Sequence, residues 1–172
     1  MLNFPLFAGS IPISFVVCQE LFSFDVGHNI LTGTIPSNIG LVSHLFFIGM
    51  NHNSFSGLMP SSLSLLTFLQ TLLVEKNFLS GSEGNIFTLK LASLSVVDVS
   101  FNNFKGPLPT TVFLLPNITI LGATNNCFSG TLPASICNAK KLRVLSLGGL
   151  TSGVNCIRRY FYQLIASIRP NF

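Results

Sequence analysis

The sequence has little charge, no tryptophan and only two tyrosines. Charged residues make up 8% of the 172 positions, against about 25% in typical soluble domains. Its five acidic residues are scattered, and no carboxylate pair, nucleophile–base–orienter set or phosphate-cradling loop can be found. We therefore expect no enzyme, no cofactor and no catalytic or metal site.

Long apolar runs are also missing, although the mean hydropathy is +0.62. A membrane-spanning helix needs about 18 or more nearly unbroken apolar residues. The densest window, 41–50, is interrupted by Ser43, His44 and Gly49. We expect no membrane span in this chain.

The positive charge is placed unevenly. The formal net charge is +4, and six of the nine lysines and arginines follow residue 139. A basic tail is compatible with nucleic acid or an anionic membrane as a partner. The rest of the chain has neither a basic stripe nor a nucleic-acid-binding motif, so we expect no nucleic-acid partner.

What the sequence does contain is a repeat. Its glycines recur at intervals of 24 or 25 residues, and most are followed by Pro, as in GTIP at 33–36 and GTLP at 130–133. Asparagines stand four residues before five of these glycines, and apolar pairs stand nine and seven residues before them. The glycines are Gly9, Gly33, Gly57, Gly81, Gly106 and Gly130. The asparagine column comprises Asn29, Asn53, Asn77, Asn102 and Asn126.

Each anchor of the repeat has its own physical role. An apolar pair two residues apart predicts a short strand with one buried face. The asparagine follows that strand, where a carboxamide can bond backbone groups that lose their ladder partners. Glycine permits a tight backbone and proline fixes the next segment as extended or 3₁₀. Units this small must stack to bury a core.

These residues resemble the leucine-rich-repeat family, and the 24-residue length with the GxIP element is similar to its plant-type subclass. The resemblance covers about residues 7–150. It implies a curved solenoid with parallel strands on the concave face and mostly 3₁₀ or irregular convex segments. We expect residues 1–156 to form the array, as a half repeat followed by about six strands.

Two segments depart from the repeat. GSEG at 81–84 lacks Ile-Pro and the next unit is one residue longer, which predicts a bulged convex loop at Ser82–Leu91. Residues 157–172 follow a helical period with one apolar face, and Pro170 ends it. We interpret this segment as a short C-terminal capping helix; a membrane-surface helix and a non-native tail are the alternatives.

The outward positions of the strands predict a partner-binding site. In the repeat register an apolar strip, flanked by Phe46 and Phe101, crosses the concave face. Exposed apolar surface rimmed by polar groups often marks a protein contact. The alternative is that convex or terminal segments, or further repeats, cover it. The apolar strip comprises Phe47, Leu73, Val96, Ile120 and Val144.

Two histidines share a register position one repeat apart. His28 and His52 are expected to stack about 5 Å apart near Asp25 and Glu75. A metal needs a third ligand and usually supporting contacts. Two solvated histidines at the rim of the concave face are the preferred interpretation.

Modification and cysteine chemistry give weaker signals. Asn117 begins the sequon Asn-Ile-Thr and is a candidate glycosylation site. Cys137 and Cys156 flank the end of the array, where a disulfide would fix the cap. Cys18 matches a convex apolar position and is expected to be a buried thiol, whereas Cys127 is expected to be free.

The resemblance implies a protein- or peptide-recognition module, as a fragment of the ectodomain of a receptor-like protein or receptor kinase. A secreted inhibitor similar to the polygalacturonase-inhibiting relatives is the first alternative, and a truncated structural or non-functional fragment is the second. The implied location is extracellular or the cell surface. The usual cysteine-paired N-terminal cap is missing from the sequence, so we expect self-association through the N-terminal edge.

Overall fold

In the computed structural model, residues 6–81 and 87–149 are described, and they form a coil of short strands and 3₁₀ turns. Each repeat supplies two strands, one on each of two sheets. The strands are β1 Ala8–Gly9, β2 Ser23–Asp25, β3 Ile30–Thr34, β4 Phe47–Gly49, β5 Ser54–Leu58, β6 Thr71–Leu73, β7 Phe78–Gly81, β8 Val96–Asp98, β9 Asn103–Gly106, β10 Ile120–Gly122, β11 Cys127–Phe128 and β12 Val144–Ser146.

The inner sheet forms the concave face that the repeat predicts. It runs β2-β4-β6-β8-β10-β12, with every neighbouring pair parallel. The register is constant: Phe47 pairs with Ser23 on one side and Thr71 on the other. The last unit keeps this register, since Leu145 pairs with Leu121. The predicted leucine-rich-repeat solenoid is confirmed.

A second parallel sheet was not predicted. It runs β1-β3-β5-β7-β9-β11 along the stretch that leads into each repeat glycine. Buried and more exposed side chains alternate at the start of β3, β5, β7 and β9. In β3, Leu31 is buried between the exposed Ile30 and Thr32. Alternating burial of this kind is typical of a strand with one buried face.

The convex side is built from 3₁₀ turns, as expected. They are Ile13–Val17, Ile39–Leu41, Ser61–Leu65, Thr110–Leu114 and Ala134–Asn138. Four of them start after a proline with φ between −66° and −69°. Proline suits this place because its φ is fixed and it has no N–H to leave unpaired.

The core lies between the two sheets and the convex turns, and the predicted apolar pairs form its inner wall. Ile48, Met50 and Val74 are fully buried, and Leu72 is 1% exposed. Phe24, the equivalent of Ile48 on β2, is only half-buried because β2 is the edge strand of its sheet. Stacking of successive units therefore provides the burial, as a repeat architecture requires.

The outermost repeat also explains a wrong prediction. Cys18 is exposed, although Val42 and Leu66, at the same position one and two repeats later, are fully buried. These later residues each lie between two neighbouring repeats. The register of Cys18 was right, but its burial was not, because no preceding repeat among the described residues packs against the convex side of the first one.

Two predicted features fall largely outside the described residues. The bulged loop was expected at 82–91, and residues 82–86 are not described; in the remaining part, Phe87 and Leu91 are buried in the core. The C-terminal helix expected at 157–172 lies wholly outside the described residues, as does the end of the 1–156 array after Gly149.

Candidate functional site

Because the register of the inner sheet is constant, the two outward-facing residues of each strand line up with those of its neighbours and form two columns across the sheet. The first column holds four members of the apolar strip, interrupted by Thr71, and Leu73 lies in the second column on the same strand as Thr71. Phe47, Leu73 and Val96 are half-buried, whereas Ile120 and Val144 are 36% and 45% exposed. The first column is Ser23, Phe47, Thr71, Val96, Ile120 and Val144; the second is Asp25, Gly49, Leu73, Asp98, Gly122 and Ser146.

An aromatic pair borders the strip where the strands begin. Phe22 stands immediately before β2, and Phe46 stands immediately before β4. Their rings stack with centroids 5.7 Å apart and an interplanar angle of 11°. Both rings remain exposed, at 61% and 38%. The flanking position of Phe46 was predicted from the sequence, but that of Phe22 was not. The two residues are one 24-residue repeat apart, and this spacing places them at the same position.

Two carboxylates of the second column lie over glycines of the next strand. A Cβ added at Gly49 would come within 2.7 Å of Oδ1 of Asp25, and one at Gly122 within 2.6 Å of Oδ1 of Asp98. Backbone N–H groups hold these carboxylates: Gly27 donates to Asp25 at 3.0 Å and Ser100 donates to Asp98 at 2.9 Å. The repeat thus presents the same acidic group twice, three strands apart.

The two rim histidines stack as the register predicts. The ring centroids of His28 and His52 are 4.1 Å apart, with an interplanar angle of 18°. Between them, Nδ2 of Asn51 lies 3.4 Å from Nε2 of His28 and 3.2 Å from Nδ1 of His52. A carboxamide nitrogen only donates, so in this arrangement a ring nitrogen of each histidine accepts from Asn51.

Glu75 lies on the next repeat, close to this pair. Its Oε1 is 4.0 Å from Nδ1 of His52, and its Oε2 is buried. Burial is the main cause that raises the pKa of Glu75, with Asp98 adding to it. Burial, then Lys76 and then His28, lowers the pKa of His52. Across the described residues no three His, Cys, Asp or Glu side chains are placed to hold a metal ion.

The same rim continues with a cation beside an aromatic ring. The Nζ atom of Lys76 lies 5.7 Å from the ring centroid of Phe101, within the range of a cation–π contact. Both residues, like the two histidines, have left-handed backbones with φ of 53–56°. Each of the four residues stands directly before a member of the asparagine column, so the left-handed backbone recurs once per repeat. This backbone feature was not predicted from the sequence.

The asparagine column supports the concave face from beneath. Asn102 is 3% exposed, and its Nδ2 donates to the carbonyls of Val74, Val99 and Ser100 at 2.9–3.1 Å. Its Oδ1 accepts from the N–H of Leu79 at 2.9 Å. Asn53, Asn77 and Asn126 link their neighbouring repeats in the same way.

Asn117 lies on a lateral edge, not on the concave face. Its side chain is half-buried, with Nδ2 donating to the carbonyl of Ala92 at 2.8 Å and Oδ1 accepting from Nζ of Lys141 at 2.7 Å. A glycosylated carboxamide keeps one N–H, so these bonds do not by themselves forbid a glycan. Glycosylation of Asn117 stays a prediction.

The cysteine assignments need correction. Cys137 is an exposed free thiol, so it does not form the disulfide that we predicted with Cys156. Cys127, which we expected to be free, is disulfide-bonded. The remaining cysteine, Cys156, lies outside the described residues. Proximity along the chain misled the prediction: Cys127 is on β11, the edge strand of its sheet, whereas Cys137 sits on a convex 3₁₀ turn.

Sequence comparison finds plant receptors. The chain is 33% identical over 74 residues to Receptor-like protein 54 of Arabidopsis thaliana, a match that covers 43% of this chain and 9% of the relative. The matches to this relative and to two further receptor-like proteins of Arabidopsis thaliana, 27 and 22, each span less than a tenth of the relative's length. No protein-family model matches it.

Structural comparison is decisive. The ectodomain of the receptor kinase SOBIR1 from Arabidopsis thaliana is 31% identical, with a TM-score of 0.67, over 73% of this chain and 68% of that ectodomain. The chain belongs to the plant leucine-rich-repeat receptor family. The Arabidopsis receptor kinase HAESA, solved in complex with the peptide hormone IDA and the co-receptor SERK1, gives a TM-score of 0.79 at 33% identity. That match covers 85% of this leucine-rich-repeat chain and 24% of HAESA.

Within residues 6–81 and 87–149, no helix is long and apolar enough to cross a bilayer.

Proposed function

We propose that this chain is a recognition module for a protein or peptide ligand, which docks across the apolar strip. The observation that carries the proposal is the set of apolar side chains, from half-buried to 45% exposed, at outward positions of a sheet whose strands are all hydrogen-bonded to their neighbours. All the inner strands are hydrogen-bonded to their neighbours, so the face offers side chains and not unpaired backbone groups. Such a surface suits a partner that contributes its own apolar side chains.

The relatives support the same role. HAESA was solved with a peptide hormone bound, and the receptor PEPR1, with a TM-score of 0.77, was solved as a PEPR1–AtPEP1 complex. By this likeness, the chain acts by binding and not by catalysis, and it works outside the cell or at the cell surface.

Panning a random dodecapeptide phage library tests the proposal without knowledge of the natural ligand. The library is selected on the immobilised 172-residue chain and in parallel on a Phe47→Asp variant. We expect families of peptides that bind the first and not the second, because interface energy concentrates in a few large side chains. Ile30→Asp is the matched control: Ile30 is exposed and apolar but lies on the other sheet, so this variant should retain the same peptides.

Circular dichroism of each variant separates binding from folding. A folded Phe47→Asp variant that retains every selected peptide would move the site away from the strip. Should Phe47→Asp unfold, Ile120→Asp replaces it, since Ile120 is more exposed and lies on the same strip.

A further inference from the structure

We propose that the ligand segment is extended and cationic, with two basic side chains that pair with Asp25 and Asp98 and an apolar side chain between them on Leu73. This inference rests on the proposed function and specifies the class of peptide. It follows from the charge, spacing and environment of the second outward column.

The charge of the concave face is opposite to that of the chain. The two outward columns of the inner sheet hold two acidic residues, Asp25 and Asp98, and no lysine or arginine, in a chain of net charge +4. Among the described residues, the cations that border this face are Lys76, which lies over Phe101, and Arg143, which is exposed directly before β12; neither stands in an outward column. A face lined by one sign of charge attracts and orients a ligand of the other sign.

The two aspartates are available to a ligand. Among the described residues, neither carboxylate forms an ion pair with a lysine or arginine, and each is held from the backbone side by one N–H group. The carboxylates lie over Gly49 and Gly122, which have no side chains to cover them. Asp25 is exposed, and Asp98, beside Leu73 of the preceding strand, is half-buried. Glu75 is different, because its carboxylate is turned inward and partly buried.

Strand geometry sets the spacing of the basic residues. Asp25 and Asp98 are three strands apart in one column, with Leu73 on the strand before Asp98. Strands lie about 4.8 Å apart, so the carboxylates are about 14 Å apart, and an extended peptide rises about 3.3 Å per residue. Because side chains of an extended peptide alternate in direction, residues that face the sheet are an even number apart. The expected pattern is basic–x–apolar–x–basic.

The test uses the same dodecapeptide library on the wild-type chain and on an Asp25→Asn/Asp98→Asn double variant. Peptides that require Phe47 should carry an excess of lysine or arginine, with pairs four residues apart around an apolar residue. On the double variant this excess should disappear. Glu20→Gln is the matched control, since Glu20 is an exposed acid outside the inner strands, and it should leave the excess unchanged.

The affinity of the most enriched peptide, resynthesised in free form, is then measured. Fluorescence anisotropy should show a loss of affinity of about two- to fivefold for each aspartate replaced, as for exposed ion pairs, and weaker binding at higher salt. Phe47-dependent peptides without excess positive charge, or with affinity unchanged in the double variant, would overturn this inference and leave the proposed function standing. A selection with no Phe47-dependent peptides would overturn both.

Discussion

At the residue scale, a single carboxamide per repeat holds the turns of the coil together. Asn102 satisfies carbonyls of its own repeat and of the preceding one, and it receives an N–H from Leu79. No apolar side chain of similar size can replace both functions. The asparagines therefore tolerate less change than the leucines around them, for which other apolar side chains are available.

Replacing Asn102 by Ala should destabilise the protein by about 1–3 kcal/mol, because it leaves buried backbone groups without partners. Asn103 is the control: it is chemically identical and adjacent, but half-buried on β9 and outside the column. Asn103→Ala should change the free energy of unfolding by less than about 0.5 kcal/mol. Equal losses in urea melts would contradict the role given to the column.

The stacked histidines predict a pH dependence of stability. Burial, Lys76 and His28 lower the pKa of His52 in the folded state, below its usual value of about 6.5. The unfolded chain therefore binds more protons than the folded one as the pH falls below about 6.5, so this group makes the protein less stable on acidification. In His52→Gln, the free energy of unfolding should fall less between pH 7 and pH 5.5 than in the wild type.

Glu75 contributes with the opposite sign. Its pKa is raised in the folded state, so its ionised form costs stability at neutral pH, and this cost disappears as the pH falls through the raised pKa. Glu75→Gln should therefore steepen the loss of stability on acidification. Identical pH profiles for both variants and the wild type would show that neither group is coupled to folding.

At the element scale, close approach between convex turns limits which residues they accept. Gly40 lies in the 3₁₀ turn Ile39–Leu41, and its N–H donates to Oγ of Ser62 at 3.2 Å. A Cβ there would collide with the backbone carbonyl oxygen of Ser62 and would lie 2.6 Å from its carbon. A backbone group cannot move aside as the end of a side chain can.

Gly40→Ala should therefore destabilise the protein by about 1–3 kcal/mol through overpacking. Gly148→Ala is the matched control, because its Cβ would meet only Cγ2 of Thr124 at 3.8 Å, an ordinary contact. Thermal denaturation followed by circular dichroism measures both. If the two variants melt at the same temperature, the turns are less tightly packed than the structure shows.

At the scale of the whole molecule, the described part of the coil begins with edge strands on both sheets. β1 and β2 are the edge strands of the two sheets, and the apolar side chains of the first repeat are less buried than their equivalents further along. Phe24 is half-buried where Ile48 is fully buried. An open edge with exposed apolar surface can pair with another chain.

We predict that the isolated 172-residue chain self-associates through this N-terminal edge. A polar capping unit fused before residue 1 should make it monomeric, since terminal repeats with a polar outer face confer solubility. Sedimentation velocity at high micromolar concentration measures the outcome. A monomeric chain without any cap would refute the prediction.

The sequence by itself determined the solenoid, its period and which residues share a column. Those features depend on the 24-residue spacing of glycine, asparagine and apolar pairs, and each anchor has a local physical cause. The inner strands and the stacking of His28 on His52 could be placed in this way because a constant register brings equivalent residues together.

The tertiary structure alone decided how each position is surrounded. Cys18 has the register of a buried residue but is exposed, because burial depends on which repeats lie beside it. Neither the disulfide bonding of Cys127 in place of Cys137 nor the position of the Asp25 and Asp98 carboxylates over glycines follows from the repeat register alone. A repeat pattern gives each residue its place along the coil, whereas burial, pairing and charge environment are set by neighbours that are 22–28 residues away in sequence.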